Sequence, residues 1–132
     1  MIEVDIVTPT RKLVEGAKVS SLKIPAKRGE IQIFPGHTDL MSVLGTGPLS
    51  FVEDGRERKF AVSYGFLEVR HDKVLVLAET AEEATDIDLN RAKNAQKKAQ
   101  DALTGVLTED TFQKHQLKLQ RSLVRQQVAG NH

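Results

Sequence analysis

A chain of 132 residues carrying 19 basic and 18 acidic side chains fits one domain, or a small domain with an appendage. The net charge of +1 gives no global case for a nucleic-acid partner, and the absence of cysteine excludes disulfides and thiolate metal sites. No apolar run approaches the length of a membrane span, and the opening Met-Ile-Glu-Val-Asp has the pattern of a strand, unlike a signal or transit peptide.

Ile2, Val4 and Ile6 alternate with Glu3 and Asp5, the period of a half-buried strand, closed by a turn at Pro9. Leu13 to Glu15 before Gly16, and Val19 to Ile24 before Pro25, continue the pattern. Arg28-Gly29 turns into the alternating Glu30 to Ile33, which Pro35-Gly36 stops. Leu40 to Leu44 is apolar enough for a strand buried on both faces, ended by Gly45-Thr46-Gly47-Pro48. Phe51 to Glu53 and Lys59 to Val62 flank Asp54-Gly55, a strong hairpin signal. Gly65 to Val69 and Val74 to Leu77 pair across His71-Asp72. Short strands, frequent turns and no helical crossover predict a mainly β module, residues 1–85, built as an antiparallel sandwich or flattened barrel.

At Thr85-Asp86-Ile87-Asp88-Leu89-Asn90-Arg91-Ala92 the period changes. Thr85 followed three residues later by Asp88 has capping-box spacing, and the acids suit the positive end of a helix dipole. Ala92, Ala95, Ala99, Ala102 and Val106 then form one stripe of small residues, with Gly105 as a C-terminal cap. Thr108-Glu109-Asp110 opens a second helix, in which Phe112, Leu119 and Leu123 make an apolar row adjoined by Leu117, Val124 and Val128. A short link between helices of similar length predicts an antiparallel α-helical hairpin over 86–132. An alanine seam contributes only a few kcal/mol at about 0.8 kcal/mol per buried methylene, so the hairpin needs a surface to lie on and is easily detached.

Charge divides at the same junction. From Asp86 onward eight basic residues stand against five acidic ones, and the last stretch holds Lys114, Lys118, Arg121 and Arg125 with no acid. Their spacing puts these four on one helix face, which points to an anionic partner: a nucleotide phosphate, an acidic protein segment or a nucleic-acid backbone. Aromatic content of 5% with no Trp argues against base stacking, leaving a β-barrel nucleic-acid binder with a basic tail as the alternative reading. Catalysis finds no support. His37, His71, His115 and His132 lack metal-ligand spacing, Ser63 lacks a nucleophile elbow and reads as a strand residue, and Gly45 and Gly47 form no dinucleotide fingerprint.

Gly29-Glu30-Ile31-Gln32-Ile33-Phe34-Pro35-Gly36-His37, then Tyr64 to Val69, then Leu77-Ala78-Glu79-Thr80-Ala81, resemble the epsilon subunit of the F-type ATP synthase in order and spacing. The stretch Ile87-Asp88-Leu89-Asn90-Arg91-Ala92 resembles that family's nucleotide motif, and the resemblance covers essentially the whole chain. It implies a ten-stranded sandwich and a two-helix hairpin in a non-catalytic subunit at the foot of the central stalk. The implied partners are the gamma subunit, the c ring through loops carrying Glu30 and His37, and the alpha and beta subunits when the hairpin extends and restrains hydrolysis. No cofactor is implied as a requirement. Regulatory ATP would be held in the folded form by Glu82, Ile87, Asp88, Arg91, Arg121 and Arg125, with Glu82 and Asp88 on the nucleoside and the arginines mainly on phosphates. Lys98 stands where relatives use an arginine, so a bidentate contact is lost and weaker ATP binding is expected. The expected location is peripheral, on the cytoplasmic face of a bacterial inner membrane.

Overall fold

Most of the alternating runs become strands, reversed by residues suited to left-handed backbone. The computed structural model describes residues 1–105 and 108–130, so the expectations for Val106 and His132 fall outside the described residues. The strands are β1 (Ile2–Val7), β2 (Lys12–Val19), β3 (Leu22–Ala26), β4 (Gly29–Ile33), β5 (Leu40–Leu44), β6 (Gly47–Glu53), β7 (Arg56–Arg70) and β8 (Lys73–Glu83). A 3-10 turn at Ala84–Asp86 leads into helices α1 (Leu89–Leu103) and α2 (Glu109–Gly130). The β6–β7 turn has φ 51° at Asp54 and 77° at Gly55, the backbone that a tight two-residue hairpin requires. The β7–β8 turn places His71 and Asp72 at positive φ without a glycine. Asp72 is held there by two bonds: its carboxylate accepts from the Gly36 N–H at 2.7 Å and its carbonyl from the Glu3 N–H at 2.8 Å.

The sheet runs β2-β1-β8-β7-β5-β3-β4, with β6 bridging β3 and β7. Pairing is antiparallel except between β1 and β8, which run parallel. Parallel neighbours need a long connection, and everything between them in the chain supplies it. One core takes side chains from all eight strands, including Ile6, Leu22, Ile33, Leu44, Leu49, Phe60, Leu67 and Val76. The ten strands implied by the resemblance correspond to eight continuous ones, because β7 and β8 are long and bent. In β7 the core positions are Phe60 and Val62 before the bend but Leu67 and Val69 after it, so the inward parity switches. In β8 it switches likewise, from Val74, Val76 and Ala78 to Ala81. The bend sits at Tyr64 (φ 53°) and Gly65 (φ 141°), where pairing with β8 skips one residue. A Cβ on Gly65 would lie 1.7 Å from the Leu77 carbonyl oxygen, so only glycine fits.

Three further expectations are corrected. Val19 to Ile24 is not one strand: the chain turns at Ser20-Ser21, and Pro25 continues β3. β5 is covered on one face only, leaving Met41 74% exposed, because no layer among the described residues packs over its outer side. Thr85 does not cap α1, since it lies inside the 3-10 turn. Asp88 is the N-cap, and its carboxylate accepts from the Arg91 N–H at 3.1 Å.

Beyond β8 the packing is thin. Ala92 and Ala99 are buried on α1, and α2 reaches the sheet through Val128 with half-buried Val124, against Ala61, Ala84 and Ile87. The apolar row expected on α2 is divided: Phe112 and Leu123 are exposed and Leu119 is half-buried, while Ser122 and the adjoining Val128 are buried. Gly105 is not a left-handed cap either. Thr104 ends α1, its hydroxyl bonding the Asp101 carbonyl at 2.7 Å. Thr108 opens α2 as expected, accepting from the Thr111 N–H at 3.3 Å.

Candidate functional site

Small residues on the outer face of β7 let α2 approach. Phe60 to Ser63 are buried consecutively, which alternation alone would not give: Phe60 and Val62 enter the core while Ala61 and Ser63 lie under the hairpin. Between the two layers is a cleft of about 350 Å³, bounded by Ser63, Thr80 and Glu82 on the sheet, Thr46 in the β5–β6 turn, Lys98 on α1, and Lys118, Arg121 and Arg125 on α2. Arg121 and Arg125, one turn apart, both point at the sheet. The Arg121 Nε donates to the Ser63 hydroxyl at 2.8 Å, and that hydroxyl shares a 2.9 Å bond with Thr46. Arg121 Nη2 sits 3.2 Å from Glu79, and Arg125 Nε 2.8 Å from Glu82. Both nitrogens are shielded from solvent and neither is aligned for a hydrogen bond to its carboxylate, so each contact is Coulombic. The aligned bond is Arg125 Nη2 to Glu82, at 3.3 Å.

Of the residues expected to hold a nucleotide, the fold brings Glu82, Arg121 and Arg125 together in this cleft, with Lys98 on its border. Ile87 is in the adjoining apolar seam. Asp88 and Arg91 are exposed at the start of α1 and do not line the cleft; Asp88 is engaged as the helix cap. Three contributors go beyond the sequence reading, namely Ser63, Thr46 and Glu79, while Lys118 comes from the basic row. Ser63 carried a readable signal, since Ala61 and Ser63 alternate with Phe60 and Val62 as small against large. Thr46 sits in a turn and joins only through tertiary contact.

Two other features bear on partners. Met41, Phe66, Leu75 and Leu77 line a shallow apolar depression on the outer face of β5, β7 and β8, with Phe66 58% exposed. Register makes this one patch, since Val43 pairs with Phe66 and Phe66 with Leu77. Glu30 and His37 do not share a spot. Glu30 pairs with Pro25 beside Ala26 and the Leu44 end of β5, whereas the His37 turn docks on the β7–β8 turn through Gly36 and Asp72. Where the sandwich meets the hairpin, Arg58 lies over the stacked rings of Phe51 and Phe60 at 5.5 and 5.3 Å. It holds Glu83 with two 2.8 Å bonds and Glu53 with one of 3.1 Å. Its guanidinium keeps the Glu83 carboxyl below the usual carboxylate range, chiefly through those hydrogen bonds. Among the described residues no group of acids and histidines could hold a metal ion, and no helix is long and apolar enough to cross a membrane.

Residues 1–84 match the family model for the ATP synthase delta/epsilon chain β-sandwich domain, and residues 85–130 the model for its long α-helix domain. The chain is 39% identical over 130 residues to the ATP synthase epsilon chain of Trichlorobacter lovleyi, covering 98% of this chain and 94% of the relative. It is 38% identical to that of Bacillus velezensis, covering 98% of each. Its fold is similar to a chain in the mitochondrial ATP synthase of Euglena gracilis, in an OSCP/F1/c-ring structure, with TM-score 0.83, 19% identity, and 99% and 81% of the two chains covered. It is also similar to a chain in the central stalk and c-ring structure of the Tetrahymena thermophila enzyme, with TM-score 0.70, 12% identity, and 97% and 96% covered. Matched in both of its parts and along nearly its whole length, the chain belongs to the ATP synthase epsilon-chain family, a non-catalytic subunit of that membrane-associated complex.

Proposed function

We propose that the chain works as two parts: residues 1–85 seat it on the rotor, and residues 86–132 regulate ATP hydrolysis by lying on the sandwich or leaving it. The apolar face around Met41, Phe66 and Leu77 suits the gamma subunit, since it is a sheet face left uncovered by the described residues and too apolar to favour water. Glu30 and His37, at separate ends of the sandwich, would touch the c ring through different loops. Extended, the hairpin would reach the alpha and beta subunits, and Arg121 and Arg125 would exchange Glu79 and Glu82 for acidic segments of the beta subunit. The working location is the cytoplasmic face of a bacterial inner membrane.

One observation carries the regulatory reading. The cleft has walls on both parts of the chain, so it exists only while the hairpin is folded down. A ligand there binds one posture alone and shifts the equilibrium by its full binding free energy. The cationic lining favours a phosphate-rich ligand, and we take it to be MgATP, with Glu82, Arg121 and Arg125 in the cleft and Ile87, Asp88 and Arg91 outside its lining, at the start of α1. Isothermal titration of MgATP into the full chain is expected to show saturable heat, and none at millimolar ligand would remove the nucleotide half. In reconstituted enzyme, deleting the residues beyond Glu83, or changing Arg121 and Arg125 to Ala, is expected to raise hydrolysis. Unchanged hydrolysis would remove the regulatory half.

A further inference from the structure

The four cations of the cleft do not share one situation. Arg121 is committed to Ser63 and Glu79, and Arg125 to Glu82, all on the sheet. Lys98 and Lys118 border the same cleft from α1 and α2, and both are exposed with no ion-pair partner among the described residues. Four cations against the carboxylates of Glu79 and Glu82 leave an excess of two positive charges, and the lysines are the groups without an answer. Magnesium-bound nucleoside triphosphate is a dianion. The Gln126 side chain donates to Gln96 at 2.7 Å, which marks these two residues as opposite each other in the antiparallel pair. In that register Lys98 lies level with the Val124–Arg125 turn, while Lys118 is about 10 Å further along α2 from Arg125 at 1.5 Å per residue. Long, flexible lysine stems let both ammonium groups reach a phosphate chain lying between them.

We infer that Lys118, together with Lys98, binds the phosphates of the cleft ligand, while Arg121 and Arg125 chiefly tie α2 to the sheet. This rests on the nucleotide reading above and adds a binding residue outside the Ile87–Ala92 motif. It divides the labour by availability: the arginines would have to give up charge-assisted bonds that hold the hairpin down, whereas the lysines lose only water. The lysine pair also makes the loss of an arginine at position 98 less costly, since two point charges replace one fork.

The test is titration of MgATP and of inorganic tripolyphosphate into the full chain and its Lys118→Gln, Lys118→Arg and Arg121→Gln variants, with thermal midpoints measured without ligand. Lys118→Gln is expected to weaken both ligands about tenfold while leaving the ligand-free midpoint unchanged, and Lys118→Arg to keep wild-type affinity. Arg121→Gln is expected to lower the ligand-free midpoint. Wild-type affinity in Lys118→Gln overturns the assignment while sparing the nucleotide reading. Loss of MgATP with tripolyphosphate unaffected also overturns it, because the lysine would then act on the nucleoside. No wild-type heat with MgATP overturns both readings.

Discussion

The sandwich and the hairpin bury themselves by different means. Every strand of the sandwich sends large aliphatic side chains into one core, at almost no exposure. The hairpin meets the sheet through a short seam of Ala61, Ala84, Ile87, Val124 and Val128, and through the ion pairs of Arg121 and Arg125 with Glu79 and Glu82. A core of the first kind breaks cooperatively and seldom. A seam of the second kind opens locally, at a free energy well below that of global unfolding. The contrast teaches where a two-state element belongs: on a base whose own stability does not depend on it.

Three substitutions sharpen or break that contrast. The largest effect is expected at Gly65, where any Cβ meets the Leu77 carbonyl and the backbone lies at φ 141°. Gly65→Ala should cost about 3–5 kcal/mol and lower the thermal midpoint by more than about 10 °C, with the whole sandwich melting together. A midpoint equal to wild type would show that the bend is not fixed by this contact. Val128→Ala comes next, at about 2 kcal/mol for a buried methyl pair and the cavity left behind. Its cost should fall on docking alone: faster amide exchange in α2 with unchanged protection in β1 and β8. Joint loss of protection in strands and helix would mean that the two parts unfold as one.

The smallest effect is at Glu83→Gln, which removes the charge that Arg58 grips at the end of β8. Because the Glu83 carboxyl is held below its ordinary range, its stabilisation is fully present above the unfolded value of about 4.3 and is lost as pH falls through the lower folded value. At neutral pH the variant should be about 1 kcal/mol less stable than wild type, a modest sum for a partly exposed pair. Chemical denaturation at descending pH should bring the two chains together below about pH 4. A constant difference down to pH 3 would assign the effect to shape instead of charge.

Much of the β part was legible because alternation and turn chemistry are local. Asp54-Gly55 and His71-Asp72 are read directly as reversals, and Ile2 to Ile6 as one inward-facing row. Local signals also named residues without giving their roles. Asp88 is acidic near a helix start in any reading, but whether it or Thr85 caps the helix depends on where the 3-10 turn ends. Leu40 to Leu44 was read as doubly buried because an apolar run does not say whether a second layer exists. Helical period puts Phe112, Leu119 and Leu123 in one row, yet the face that docks is chosen by the sheet, which accepts Ser122 and Val128 over small residues.

By itself, the sequence determined the strand-to-helix junction, the family through its ordered motifs, and the grouping of Lys118, Arg121 and Arg125 on one helix face. Periodicity and spacing are properties of neighbouring residues, so they need no fold to be read. Tertiary structure alone decided that Arg121 meets Ser63 and Glu79, that Arg125 meets Glu82, and that the lysines beside them have no ion-pair partner among the described residues. Arg121 and Ser63 lie 58 positions apart in the chain, and no local rule reaches that far. Ala61 and Ser63 face α2 because Phe60 and Val62 between and before them take the core side, and their small size leaves room for the cleft.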